Sequence, residues 1–297
     1  MKNLELVEFK KERDLGAIIT DTFKFIRENW KEYFSLILKI AGPAFVIFIV
    51  AMGYYMITTG DVMAILTESI ENSGGYEPDT NLMVMFGSIL IAAIAGVVFY
   101  VLMQMASLFF IKSYINNNGV VDKIEVSQNV KKHFWSFLGL AILTLIMVVF
   151  GVFLCFFPAI WIGVVLSLGS SILLFEGKSV GDTISHCFTL IKDHWWETFG
   201  VVLVVGILVS LLGQVFAVPS LIYTLIKMST VIANEDPTVM SSLFSDPIYL
   251  ALTILSYVGQ FLLSTISIIT SVFIYFDLNE QKNLTGTIES IESIGNN

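Results

Sequence analysis

Charge is scarce in this sequence: 14% of its residues are Asp, Glu, Lys or Arg, well below the roughly 25% of an average soluble domain. With 56% hydrophobic residues beside so little charge, a solvated globular surface is excluded and a membrane protein is expected. Cysteine is nearly absent. Cys155 lies in an apolar run and Cys187 in a polar segment, which excludes a disulfide framework; Cys187 reads as a free thiol, with acylation as the alternative. Histidine occurs three times, at positions 133, 186 and 194, without HExxH, CxxC or other ligand spacing, so no metal and no cofactor are expected. GxSxG and GxxxxGK[ST] are missing as well, and no serine is placed beside a base, so no catalytic residues are assigned. Sixteen lysines and arginines against 25 acids leave no cationic surplus for phosphate backbones, which excludes nucleic acid as a partner.

What is present is a series of long charge-free runs, at 40–60, 80–111, 134–175, 198–226 and 247–276. Each exceeds the ~20 apolar residues that carry a helix across hydrocarbon. Lysine and arginine favour the cytoplasmic side of short loops, so their placement orients the runs. Lys10, Lys11, Arg13, Lys24, Arg27 and Lys31 put the N-terminus inside, whereas 60–81 carries five acids and no cation and belongs outside. Lys112, Lys123, Lys131 and Lys132 return the chain inside. The 134–175 run has basic flanks at both ends and about twice the length of one span, so it crosses twice, with the turn at Pro158. Lys227 alone falls outside, in a loop that otherwise lacks cations. The expected fold class is therefore all-α, a polytopic membrane protein of six transmembrane helices arranged as three hairpins. Its single membrane domain, 1–297, has spans at about 34–58, 82–111, 137–156, 158–175, 199–226 and 247–276. A cytoplasmic segment, 1–33, precedes them and a cytoplasmic tail, 277–297, follows. The first span is expected to act as an uncleaved signal anchor.

Before two outward spans the chain repeats itself: FKFIRENWKEYF at 23–34 returns as FTLIKDHWWETF at 188–199. In a constant register Gly16 matches Gly181, Phe23 matches Phe188, Trp30 matches Trp195 and Phe34 matches Phe199. A third, fainter copy is VDKIEVSQNVKKHFWSF at 121–137. Leu15, Ile18, Ile19, Thr22, Phe25, Ile26 and Trp30 fall at helical spacing, opposite Asp21, Lys24, Glu28 and Lys31. Each copy is thus expected to be a cytoplasmic amphipathic helix lying in the interface before its hairpin, with Trp30, Trp135, Trp195 and Trp196 as interfacial anchors. A further outer helix is suggested by Val62, Ile65, Leu66 and Ile70.

Polar residues within the spans are the candidate positions for function. They are Lys39, Gln104, Gln214 and Gln260, together with Ser264, Ser267 and Ser271 of the last span. Ser256, Gln260, Ser264, Ser267 and Ser271 share one helical face, which either lines a polar groove or seals a helix interface. Glu176 and Asp277, at cytoplasmic ends of spans, are expected to be solvated.

The stretch LLFEGKSVGDTISHCFTLIKDHWWETFGVVLVV, 173–205, resembles bacterial membrane proteins related to the membrane domain of glycerophosphoryl diester phosphodiesterase. FIRENWKEYFSLILKIAGP at 25–43 and YFDLNEQKNLTGTIESIESIG at 275–295 are similar to an uncharacterised Bacteroidota-like branch of that group. The resemblance implies a bacterial inner (plasma) membrane location with both termini cytoplasmic. In those phosphodiesterases a separate soluble barrel performs hydrolysis, and this chain has no room for one. The reading that results is a non-enzymatic scaffold or accessory component. It engages the phospholipid bilayer or an unknown membrane protein partner through its cytoplasmic helices. The alternative is a transporter or lipid-handling protein with a path between hairpins near the final span. The topology makes a direct prediction: a cysteine placed at residue 75 reacts with an impermeant maleimide on intact cells, and one at residue 125 only after permeabilisation.

Overall fold

A polypeptide in hydrocarbon has no water to bond its N–H and C=O groups, so its apolar runs fold as helices that satisfy those groups internally. The computed structural model describes residues 6–71, 80–154, 156–234 and 242–295, and among these every regular element is helical. In chain order they are α1 (Leu15–Glu71), α2 (Thr80–Asn116), α3 (Lys123–Leu154), α4 (Phe156–Leu166), α5 (Gly169–Glu176), α6 (Val180–Ile191), α7 (Trp195–Asn234), α8 (Pro247–Asn283) and α9 (Thr285–Gly295). Six helices are long and apolar enough to cross a membrane: α1, α2, α3, the α4–α5 stretch, α7 and α8. The chain is an all-α, multi-pass membrane protein.

Helix boundaries differ from the sequence reading in instructive places. α3 ends at Leu154 and α4 begins at Phe156, so Pro158 sits in the first turn of α4, where its missing N–H costs no helical bond. Pro43 and Pro219 lie inside α1 and α7 and end neither. The expected outer helix at 62–70 is the continuation of α1 rather than a separate element. Of the three repeat copies, only the second forms a helix of its own, α6; the first runs unbroken into α1 and the third into α3. Ser179 starts α6 by accepting from Asp182 N at 3.3 Å, and Gly177, at φ +66°, supplies the left-handed turn that ends α5.

Contacts divide the chain into two compact units. The first comprises Met1–Ala41, Tyr100–Val209 and Ser264–Asn297; the second comprises Gly42–Phe99 and Ser210–Leu263. The first unit has an aromatic core. Phe25 is fully buried, edge-on to Phe9, Tyr33, Phe110 and Tyr114 at centroid distances of 5.2–6.2 Å, and Phe9 stacks flat on Phe273 at 4.6 Å. Ile18, Thr22 and Phe25 thus face protein, which corrects the expectation that this stripe lies in lipid. The aromatic partners contributed by Phe9, α2 and α8 bury it more completely than a bilayer surface would. In α6 the inward line is Thr183, Cys187, Leu190 and Ile191. Burial pushes the Cys187 thiol up to about 12. Lysines meet the carbonyl ends of two short helices: Lys112 Nζ donates to Leu174 O in α5 at 3.2 Å, and Lys282 Nζ to Thr189 O in α6 at 2.7 Å. Cations are favourable at those ends because the peptide dipoles sum to negative there.

In the second unit small residues bring helices together. Ala51 of α1 packs with Ala92 and Ala95 of α2, covered by Phe48, Met52 and Tyr55. Phe45, Phe99 and Phe261 form a second aromatic contact at 4.9–5.5 Å. Thr58 and Ser88 share a buried hydrogen bond of 2.8 Å. Gly259 of α8 lies against Phe216 of α7 so closely that an added Cβ would stand 2.6 Å from the Phe216 Cβ, an atom that moves only with its backbone. Gly259→Ala is therefore expected to lower stability by about 1–3 kcal/mol through overpacking, read as a lower melting temperature of the purified protein in detergent.

Candidate functional site

Within the first unit a cavity of about 600 Å³ opens between the segment preceding α1 and two helix ends. Its walls are Glu12, Arg13 and Asp14, then Leu15 and Ile18 of α1, Trp196–Thr198, Gly200 and Val201 of α7, and Ile274, Asp277, Leu278 and Gln281 of α8. Local chemistry fixes each wall. Asp14 caps α1 by accepting from Ala17 N at 2.7 Å. α7 restarts directly after α6 because Thr198 N bonds back to His194 O at 3.0 Å, while His194 Nδ1 meets Glu197 Oε2 at 3.0 Å.

Arg13 holds the segment in place. Its side chain is wholly buried, and its Nε donates to Asp21 Oδ2 at 2.9 Å. Nη1 donates to Phe9 O at 2.7 Å and Lys11 O at 3.1 Å, Nη2 donates to Glu8 O, and the guanidinium lies 4.7 Å over the Phe273 ring. Burial lowers the affinity of this guanidinium for its proton, and hydrogen bonding and charge from Asp21 oppose that. The Arg13 backbone N donates to Asp277 Oδ1 at 2.7 Å, and Gln281 Nε2 donates to Asp277 Oδ2 at 3.1 Å. Asp277 is buried, not solvated as its place at a span end suggests, because the folded-back N-terminal segment covers it. The chain continues this closure beyond α8: Glu280 accepts from Gly286 N at 2.6 Å and Thr287 N at 2.9 Å, capping α9, and Lys10 pairs with Glu289 at 2.5 Å.

The residues singled out in the sequence lie mostly elsewhere. Lys39, Gln214, Gln260 and Ser267 are exposed, and Gln104, Ser264 and Ser271 are half-buried. Two members of the serine face reach other helices, Ser256 Oγ donating to Phe216 O at 2.9 Å and Ser264 Oγ to Met103 Sδ at 3.4 Å, while Ser271 Oγ turns back to Ile268 O of its own helix at 2.8 Å. Trp30, Trp135 and Trp196 are exposed, whereas Trp195 stacks on Phe199 at 5.1 Å. Of all these, Trp196 lines the cavity. Arg13, Asp277 and Gln281 carried no local signal, since their meeting joins residues some 260 positions apart. Among the described residues no three His, Cys, Asp or Glu side chains are grouped to hold a metal.

Lys227, the exceptional cation of the loop reading, is the one lysine or arginine of sixteen that falls in the second unit. Asp246 meets it at 3.1 Å and also accepts from the Tyr223 hydroxyl at 2.7 Å. The bond from Tyr223, reinforced by Lys227, pulls the Asp246 carboxyl down to about 2.

No family model, curated protein or solved structure matches the chain. Fold and site together define the class, a multi-pass α-helical membrane protein whose N-terminal segment is folded back onto its last long helix.

Two predictions follow from these contacts. Arg13→Met leaves Asp21 with Lys11 Nζ at 3.5 Å as its ionic partner and strips the carbonyls of residues 8, 9 and 11 of this donor, and is expected to cost about 3 kcal/mol, the scale of a broken buried pair. Limited proteolysis of the purified protein should then cleave the N-terminal segment much faster than in the parent. Asp246 is held below its ordinary pKa, so its clasp stabilises the fold above the usual carboxylate range near 4 and loses that effect as pH falls through about 2. Melting temperature followed between pH 5 and 2 should show this acid step, and Asp246→Asn should remove it.

Proposed function

We propose that the chain is a non-enzymatic scaffold or accessory component of a bacterial inner membrane, with both termini cytoplasmic. We further propose that it is related to the membrane domain of glycerophosphoryl diester phosphodiesterase without sharing its hydrolytic activity. The observation that carries this reading is the distribution of charge and indole. Fifteen of the sixteen lysines and arginines fall in the first unit, which also exposes Trp135 and Trp196 at 77% and 76%. Such a surface suits the cytoplasmic headgroup region, where cations meet anionic lipid and indole rings sit at the boundary. The second unit has a single cation, clasped by Asp246, and so lacks this cytoplasmic signature. The cross-helix bonds of Ser256 and Ser264 also support a structural bundle over a polar path.

A lipid-handling or transport role is the second reading. Gln214, Gln260 and Ser267 expose polar side chains on span helices, where an amide facing lipid needs a partner. Purification of the full chain in mild detergent, with identification of bound proteins and lipids, separates the two. The scaffold reading expects a stoichiometric protein partner that is lost on Lys131→Glu with Lys132→Glu. Movement of lipid or solute across vesicles by the reconstituted chain alone would overturn it in favour of transport.

A further inference from the structure

We infer that the exposed side of α7 and α8 in the second unit joins two copies of this chain through the amides of Gln214 and Gln260. Both residues are exposed, both belong to that unit, and among the described residues no hydrogen bond reaches either amide. They also stand at one level. α7 and α8 run antiparallel, with Gly213 meeting Leu263 on one side of the amides and Phe216 meeting Gly259 on the other. The Lys227–Asp246 contact at 3.1 Å gives the same alignment, since Gln214 lies 13 residues from its lysine and Gln260 lies 14 from its aspartate. At 1.5 Å per residue both amides are about 20 Å from that clasp, well inside the hydrocarbon. A primary amide offers two donors and an acceptor, and acyl chains bond none of them. Contact with another helix removes that cost.

α7 supplies a surface for such contact. Leu211, Gln214, Val218, Leu221 and Leu225 recur at alternating steps of three and four residues, and the four apolar members are 46–63% exposed. That spacing is the seam of a left-handed helix pair, in which a single polar side chain sets register and partner number. The occupant is a second copy because an amide complements itself, and because a two-fold axis along the membrane normal leaves every residue at its own depth. Such an axis places α7 parallel to α7 and Gln214 opposite Gln214, with Gln260 at that level to bond what the first pair leaves open. An unrelated helix serves only if it carries an amide at this same depth.

Subunit counting by single-molecule photobleaching of the dye-labelled full chain, in phosphatidylglycerol liposomes over a range of protein-to-lipid ratios, gives the association constant. A monomer–dimer equilibrium is expected. Gln214→Leu with Gln260→Leu should weaken it about five- to thirtyfold, the size of an interhelical side-chain hydrogen bond in lipid. Both substitutions set leucine against lipid, so the monomer should keep its melting temperature. A second measurement does not depend on that variant: Val218→Cys, on the seam, should give a disulfide-linked dimer under mild oxidation, and Val215→Cys, exposed but off the seam, should not. A parent that stays monomeric at the highest density, a double variant that dimerises as tightly as the parent, or equal cross-linking at the two positions would each overturn the assignment. So would a different protein that co-purifies in stoichiometric amount and is lost with the two amides.

Discussion

A peptide group that enters hydrocarbon without a hydrogen-bond partner costs several kcal/mol, and the rest of this structure depends on that constraint. It turns every apolar run into a helix and carries α1 and α7 through Pro43 and Pro219 without ending them. Several breaks in the described chain fall where a side chain supplies the missing bonds. Ser179 caps α6, Asp14 caps α1 and Glu280 caps α9, while lysines 112 and 282 cover carbonyls of α5 and α6. The short helices between α4 and α7 are affordable only because each has such a partner.

Side-chain hydroxyls obey the same rule. Ser256 reaches across to a carbonyl of α7, Tyr33 donates to Ser107 at 2.9 Å, and Thr22 meets Thr270 at 3.4 Å. A periodic line of serines in the last span is therefore compatible with a groove in sequence, while in space Ser256 and Ser264 are tied to other helices and Ser267 is exposed. Local hydrogen bonding sets that arrangement. Ser271 turns back to its own helix, which removes its donor from any path.

The helical class and the six long apolar helices were legible in the sequence because they rest on composition and run length, which are local. The direction of the amphipathic stripe was not. Periodicity says that Ile18, Thr22 and Phe25 share a face; only the arrival of Phe9, Phe110, Tyr114 and Phe273 decides that the face meets protein instead of lipid. The cavity was hidden for the same reason. Trp196 was visible as an aromatic at a span end, but its neighbours Arg13 and Asp277 are brought together by a fold-back between the two ends of the described chain. Sequence patterning reads a helix and the side it prefers to hide; it carries no record of what hides it.

Lys227 shows how a distributional rule and a local interaction combine. Fifteen cations fall in one unit and eight of the 25 acids in the other, so nearly all of the net charge of −9 belongs to the second unit, as −7 against −2. In that acidic setting a lone lysine is an exception to the pattern but not to the electrostatics. Asp246 and the Tyr223 ring, 5.4 Å from its Nζ, meet its charge where it stands. The cavity inverts this arrangement. Its lone cation is engaged on one side while carboxylates line the other, so the first unit, nearly neutral in sum, still presents one distinctly acidic recess. The sum of charge over a unit therefore does not describe its surface; the orientation and partners of individual side chains do.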